Sequence, residues 1–208
     1  MLLAGILLMA KPALADSYYP YEIQGYDVTV KVGKDNVYHV TERLQVNFNL
    51  ARHGIYRDIP VINNVSREDG STSRIQARVT NIKTYGEKRT VGREGSYCRI
   101  QLGDKNKTLV GEHMYHISYD YNMGKDVRKG EDEFYYNIIG TSWDTTIQNV
   151  TFHIMMPEDI DESKVGMAYG ESGSTNNEGL QYTINGKVME GYVDSSIILN
   201  PGEAVTVR

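Results

Sequence analysis

Tyr38-His39-Val40-Thr41-Glu42-Arg43-Leu44-Gln45-Val46-Asn47-Phe48-Asn49-Leu50, followed by Ala51-Arg52-His53-Gly54-Ile55-Tyr56-Arg57-Asp58-Ile59-Pro60, decides the fold class. Tyr38, Val40, Leu44, Val46, Phe48 and Leu50 fall on one parity, and His39, Thr41, Arg43, Gln45, Asn47 and Asn49 on the other. Strand side chains alternate between faces, so this is a long strand with one buried face. Glu42 breaks the apolar parity. A carboxylate at a core-facing position needs a partner, and the guanidinium of Arg57 follows in the next apolar run. The pair is expected to be a structural ion pair holding the strand to the segment after it.

Outward from this stretch the same period recurs. Tyr26, Val28, Val30 and Val32 alternate with polar residues, and Gly33-Lys34-Asp35-Asn36 supplies turn chemistry, so residues 26 to 50 predict a β-hairpin. Ile75, Ala77 and Val79 alternate, and the parity shift at Ile82 predicts a bulge or a strand end. Short strands are expected near Lys88 to Arg93 and at Tyr97 to Leu102. In 113–121, Tyr115, Ile117, Tyr119 and Tyr121 share one face. Phe134 to Ile139 is apolar on both faces, as a central strand would be. In the strand that Ile147 opens, Val150, Phe152, Ile154 and Met156 face inward. Glu158 to Lys164 has room for one helical turn, Gly170 to Gly179 is a loop, and further short strands are expected at 180–184, 187–190, 192–199 and 204–207. No stretch has the period of a three-turn amphipathic helix. About ten short strands with little helix predict an all-β fold: an antiparallel β-sandwich, immunoglobulin-like or jelly-roll-like.

Composition agrees. The 208 residues suit one domain with a sizeable core, and 16 Tyr against 3 Phe, with 20 Gly, lean towards strands and turns. A net charge of -5 lacks the basic footprint of a nucleic-acid binder. Leu2 to Ala10 is an apolar run, and Ala13-Leu14-Ala15 offers a small-x-small cleavage site, so 1–15 reads as a signal peptide and 16–208 as a single extracytoplasmic domain. The run is too short for a membrane span. Cys98 is the only cysteine, so no disulfide forms within the chain. The chain stops mid-pattern on Val205-Thr206-Val207-Arg208, as an excised domain or truncated gene product would.

Three passages carry a family resemblance: Glu42 to Phe48 with Gly54-Ile55-Tyr56-Arg57-Asp58-Ile59-Pro60; Gly111-Glu112-His113-Met114-Tyr115-His116-Ile117-Ser118-Tyr119; and Tyr135-Tyr136-Asn137-Ile138-Ile139-Gly140-Thr141-Ser142-Trp143 running to Pro157. Together they resemble the N-terminal region of predicted membrane proteins catalogued as domain of unknown function 2207. The resemblance implies an extracytoplasmic β domain behind a signal peptide, tethered to the cell membrane by segments beyond residue 208. It implies no activity, ligand or catalytic residue.

Candidate sites follow from side-chain chemistry. Arg57 could present its fork, and Tyr56 a flat ring, to a carboxylate or a sugar hydroxyl; the alternative is the buried pair with Glu42. Tyr135, Tyr136 and Trp143 could make a stacking platform, or Trp143 could plug the end of the sandwich. With Arg52, the candidate binding residues are Arg52, Tyr56, Arg57, Tyr135 and Trp143. His113 and His116, three apart in a strand, lie on opposite faces and cannot chelate one metal, so neither metal nor cofactor is expected. Glu131-Asp132-Glu133 and Glu158, Asp159, Asp161 and Glu162 read as solvated loops, and no nucleophile elbow occurs. The expectation is a non-catalytic interaction or sensing domain whose partner is an envelope or extracellular protein, or a glycan. The competing expectation is a carbohydrate-active or other hydrolase using the loop carboxylates.

Overall fold

The computed structural model describes residues 19–66, 72–124 and 133–208. The leader expected at 1–15, Tyr18, and Glu131 with Asp132 lie outside them. Strands Tyr21–Val32 (β1) and Val37–Arg52 (β2) form the first hairpin. Its turn places Asn36 at φ +60° and lets the Asp35 carboxylate accept from the Val37 amide. Along β2 the alternation holds: Tyr38, Val40, Glu42, Leu44, Val46 and Phe48 are all buried. It ends at Leu50, expected inward but 63% exposed. There residues 49–51 sit opposite the single Val110 of the neighbouring strand, and such an insertion turns a strand out of its plane. β1 begins five residues before the predicted Tyr26. Tyr21 and Ile23 are buried, and a register shift between Ile23 and Gly25 reverses the parity. A one-residue slip moves every later side chain to the other face, so alternation read back from Tyr26 cannot reach Tyr21.

The chain continues through Gly54–Pro60 (β3), Ile62–Ser66 (β4), Thr72–Gln76 (β5), Arg78–Thr84 (β6), Arg89–Glu94 (β7), Tyr97–Gly103 (β8) and Leu109–Asn122 (β9). Its second half holds Tyr136–Ile139 (β10), Val150–Met155 (β11), Met167–Gly170 (β12), Leu180–Asn185 (β13), Val188–Val193 (β14) and Ala204–Val207 (β15). The helical turn expected in 158–164 is a single 3-10 turn, Glu162–Lys164, which Asp161 caps by accepting from the Ser163 amide.

Seven strands form one sheet in the order β13-β14-β11-β1-β2-β9-β6. Two three-stranded sheets, β10-β15-β12 and β3-β8-β7, contribute to the same core, and β4 pairs with β5. Val28, Leu44, Phe48, Ile117 and Phe152 of the large sheet share that core with Ile55, Ile100, Ile138 and Val205 of the smaller ones. The fold is all-β and sandwich-like, with several differences of detail from the sequence expectation. There are fifteen strands among the described residues rather than about ten, and β2 and β9 are long, at sixteen and fourteen residues. β1 and β11 pair in parallel. The parity shift at Ile82 is a bulge inside β6, where register slips between Thr80 and Lys83 and Asn81 takes φ +51°. The segment expected to be a central strand at 134–139 is β10, an edge strand of a small sheet. A register shift between Asn137 and Ile139 lets Ile138 and Ile139 both enter the core, which explains the two-faced apolar pattern. The strand expected over 192–199 is instead the end of β14. The Asp194 carboxylate accepts from the Ser196 amide and turns the chain away.

Candidate functional site

Two polar constellations stand out, one inside the core and one on the open face of the large sheet. The inner one is built on Glu42. β2 delivers this carboxylate to the core face, and β3 delivers Arg57 from the opposite sheet; their side chains are 0% and 3% exposed. Arg57 Nε donates to Glu42 Oε2 at 2.9 Å and Nη2 to Oε1 at 2.8 Å, a two-pronged fork. Tyr26 Oη donates to Oε2 at 2.9 Å and Tyr119 Oη to Oε1 at 2.6 Å. Arg57 Nη1 is satisfied by the Asp58 carbonyl at 2.8 Å. The Arg57 guanidinium lies 5.7 Å from the centre of the Trp143 ring, and Trp143 packs against Tyr26 at 5.7 Å between ring centres.

Burial pushes the Glu42 carboxyl up, but the Arg57 charge and the hydrogen bonds from Arg57, Tyr119 and Tyr26 outweigh it, so the group stays below the usual carboxylate range. Burial lowers Arg57, and the Glu42 charge more than restores it, holding it well above its ordinary value. Burial first, with Glu42 among the further causes, drives Tyr26 and Tyr119 well above theirs. Both oxygens of Glu42 are satisfied by fixed donors. The cluster therefore leaves no open position for a ligand; it joins two sheets.

This placement corrects two of the expected binding residues. Arg57 and Trp143 are core residues, Trp143 at 4% exposed, and neither presents itself to a ligand. The stacking platform of Tyr135, Tyr136 and Trp143 does not form, because Tyr136 is also buried and only Tyr135 is on the surface. Arg52 lies over the Tyr21 ring at 5.1 Å, and exposed Tyr56 lies beneath Arg99 at 5.0 Å. Arg99 in turn forks onto Asp58 at 2.8 and 2.7 Å. Arg52 and Tyr56 thus make separate surface contacts, and exposed Tyr135 takes part in neither. His113 bonds Glu87 at 2.7 Å and His116 stacks on Tyr85, on opposite faces of β9. Among the described residues, no group of His, Cys, Asp or Glu could hold a metal ion. Glu158 is exposed and paired with Lys34 at 2.6 Å. Cys98 is partly buried, and that burial pushes its thiol up.

The outer constellation was not singled out from the sequence. Residues paired across a sheet point to the same side, so the registers define rungs. One rung runs Tyr192, Thr151, Asp27, Arg43, His116, from β14 through β11, β1 and β2 to β9. It is extended by Tyr85, whose amide bonds the His116 carbonyl and whose ring stacks on the imidazole at 4.1 Å. Asp27 accepts from Thr151 Oγ1 at 2.9 Å and from Arg43 Nη1 at 3.2 Å, which confirms the shared side. Burial, then the Arg43 charge, holds His116 below the ordinary imidazole range. Along this rung opens a trough of about 720 Å³, lined by Gly25, Gln45, Asn149, His153 and Glu190 and by the apolar Met114, Met155 and Val188, among others. The β1 bulge ends at Gly25, and its missing side chain helps leave the trough open. The signal available in sequence was the polar parity of the strands; which polar residues meet depends on the strand order.

The chain is thus an all-β domain whose one buried carboxylate among the described residues is neutralised inside, with a trough on its outer face. The chain belongs to the family described as predicted membrane protein (DUF2207), N-terminal domain, whose model matches residues 22–208. No curated protein matches it. Among solved structures it is similar to an M1 zinc metallopeptidase from Deinococcus radiodurans at 8% identity and TM-score 0.45, covering 90% of this chain and 42% of that one. It is also similar to yeast LTA4 hydrolase in complex with bestatin, at 8% identity and TM-score 0.46, covering 96% and 31%. This chain thus spans less than half the length of either, and nothing of their chemistry is carried to it. Among the described residues no helix is long and apolar enough to cross a membrane.

Proposed function

We propose that this chain is the extracytoplasmic, non-catalytic interaction or sensing domain of a membrane-anchored protein, exported by a signal peptide at 1–15. Its partner is an envelope or extracellular protein, or a glycan. One observation carries the reading: the outer face of the seven-stranded sheet carries an open trough lined by both hydrogen-bonding and apolar side chains. The family description, predicted membrane protein, supports the tether. The hydrolase alternative draws less support, because Glu158 of its loop carboxylates is exposed and tied to Lys34, and Glu42, the one buried acid among the described residues, is locked to Arg57.

The test is retention of the purified chain on washed envelopes of the organism that encodes it, comparing wild type with Arg43→Glu. Wild-type retention with loss in the variant is expected. No retention by either would overturn the interaction reading, and equal retention by both would remove the trough face from it.

A further inference from the structure

We infer that the outer face of the seven-stranded sheet is a saccharide-binding platform, with Tyr192 and Tyr85 as its two stacking ends and the trough between them as its hydrogen-bonding floor. The inference rests on the interaction reading above and names the ligand class. Tyr192 is 49% exposed and Tyr85 56% exposed, and they end the same rung. Five strand spacings of about 4.8 Å separate them, roughly 24 Å in all, the reach of a short oligosaccharide. Tyr85 is held by the imidazole stacked against one side, so its ring is ordered before a ligand arrives. An exposed, pre-ordered aromatic ring offers a flat apolar surface to the C–H face of a pyranose and loses little freedom on binding.

The floor between the rings mixes polar and apolar groups, as a pyranose does. Gln45 offers a neutral amide, Asn149 and Thr151 keep acceptor oxygens beyond their bonds to the Gln24 carbonyl and Asp27, and Met114, Met155 and Val188 add apolar surface. The charged groups are Asp27 and Glu190 against Arg43, with His153 bonded to Glu190 beside them, and Arg43 is already committed to Asp27. Such a floor has no surplus positive charge to attract phosphate or nucleic acid. A peptide strand would need free backbone groups to pair with. Here the backbones of β1, β2, β9, β11 and β14 are paired on both sides within the sheet. A neutral saccharide chain, taken up by side chains alone, fits what remains.

The geometry also supplies a way to close the site without touching the core. Gly25 has no left-handed backbone, and a Cβ built on it would lie 3.5 Å from Gln45 Oε1, an ordinary contact. Gly25→Leu therefore sets a branched apolar side chain into the trough while the strand stays intact.

The test is calorimetric titration of the 208-residue chain with chitopentaose and with cellopentaose, each beside its monosaccharide. Binding of at least one pentasaccharide, and of neither monosaccharide at the same concentration, is expected. Tyr192→Ala and Tyr85→Ala should each weaken it about tenfold, as loss of a buried aromatic anchor does. Gly25→Leu should weaken it by at least as much, with far-UV circular dichroism and melting temperature unchanged in all three. Failure of both pentasaccharides to bind overturns the platform, as does binding that survives Gly25→Leu and both tyrosine changes. If the saccharides fail but retention on envelopes is lost on protease treatment of the envelopes and in Arg43→Glu, the partner is a protein and the interaction reading stands alone.

Discussion

Glu42→Ala is the sharpest test of how this fold is held. The change removes the carboxylate facing Arg57 and leaves that guanidinium 3% exposed between two sheets, with Nε and Nη2 deprived of their acceptor. Breaking a buried ion pair by deleting one partner costs about 3–5 kcal/mol. Tyr26 Oη also loses its acceptor, while Tyr119 keeps Tyr136 Oη at 3.1 Å. One stranded hydroxyl adds about 1–3 kcal/mol, partly overlapping the first figure because the same cluster relaxes. Taking about 4 kcal/mol, and 2–4 °C per kcal/mol for a chain of this size, the melting temperature should fall by roughly 8–16 °C. Far-UV circular dichroism against temperature and urea reads both quantities, with Trp143 fluorescence as a second probe. The double change Glu42→Leu with Arg57→Met should be less damaging than Glu42→Ala, because packed apolar groups of similar volume leave no uncompensated charge. A Glu42→Ala chain within about 1 kcal/mol of wild type would refute the reasoning, since no buried, unpaired guanidinium is that cheap.

Three further outcomes follow from the same structure. Glu42 has a depressed folded pKa, so its stabilisation is present above the unfolded carboxylate range of about 4 and is lost as pH falls below it. Tyr26 and Tyr119 have raised values, so stability is full below about pH 10 and declines as pH rises past it. Urea midpoints across pH should trace this plateau, and Tyr26→Phe with Tyr119→Phe should flatten the alkaline limb; an unchanged limb counts against the cluster. Gly54 has φ +135°, and a Cβ there would meet the Leu102 carbonyl oxygen at 1.8 Å, so Gly54→Ala should cost more than the ~1 kcal/mol scale of ordinary glycine substitutions. Gly92→Ala, with nothing near its added carbon, should be nearly neutral; equal effects would show that the β3–β8 approach is not close. Trp143 is the single tryptophan, so acrylamide should quench native fluorescence poorly and unfolded fluorescence well, and strong native quenching would place the indole at the surface.

Much of the fold was legible because a strand writes its burial into alternate residues. That logic found β2, the inner face of β9, and Glu42 as a misplaced charge on a core parity. It failed at three kinds of place. Bulges at Gln24 and at 49–51 reset the parity, hiding Tyr21 as core and making Leu50 look buried. At Ile138 and Ile139 another shift imitated a central strand. Side-chain chemistry misled as well: Arg57, Tyr136 and Trp143 have the chemistry of binding residues, and only their burial shows that their partners lie in the core.

The sequence by itself determined the all-β class, the central hairpin and the acid in its core, because each depends on neighbours a few residues apart. Strand order was decided by the tertiary structure alone. The parallel pairing of β1 with β11 brings Asp27 to Thr151, and the rung from β14 to β9 sets Tyr192 and Tyr85 on one face. Local periodicity tells each strand which side to bury, but the choice of neighbour comes from the shared core, and a surface site made by five strands exists only once that choice is made.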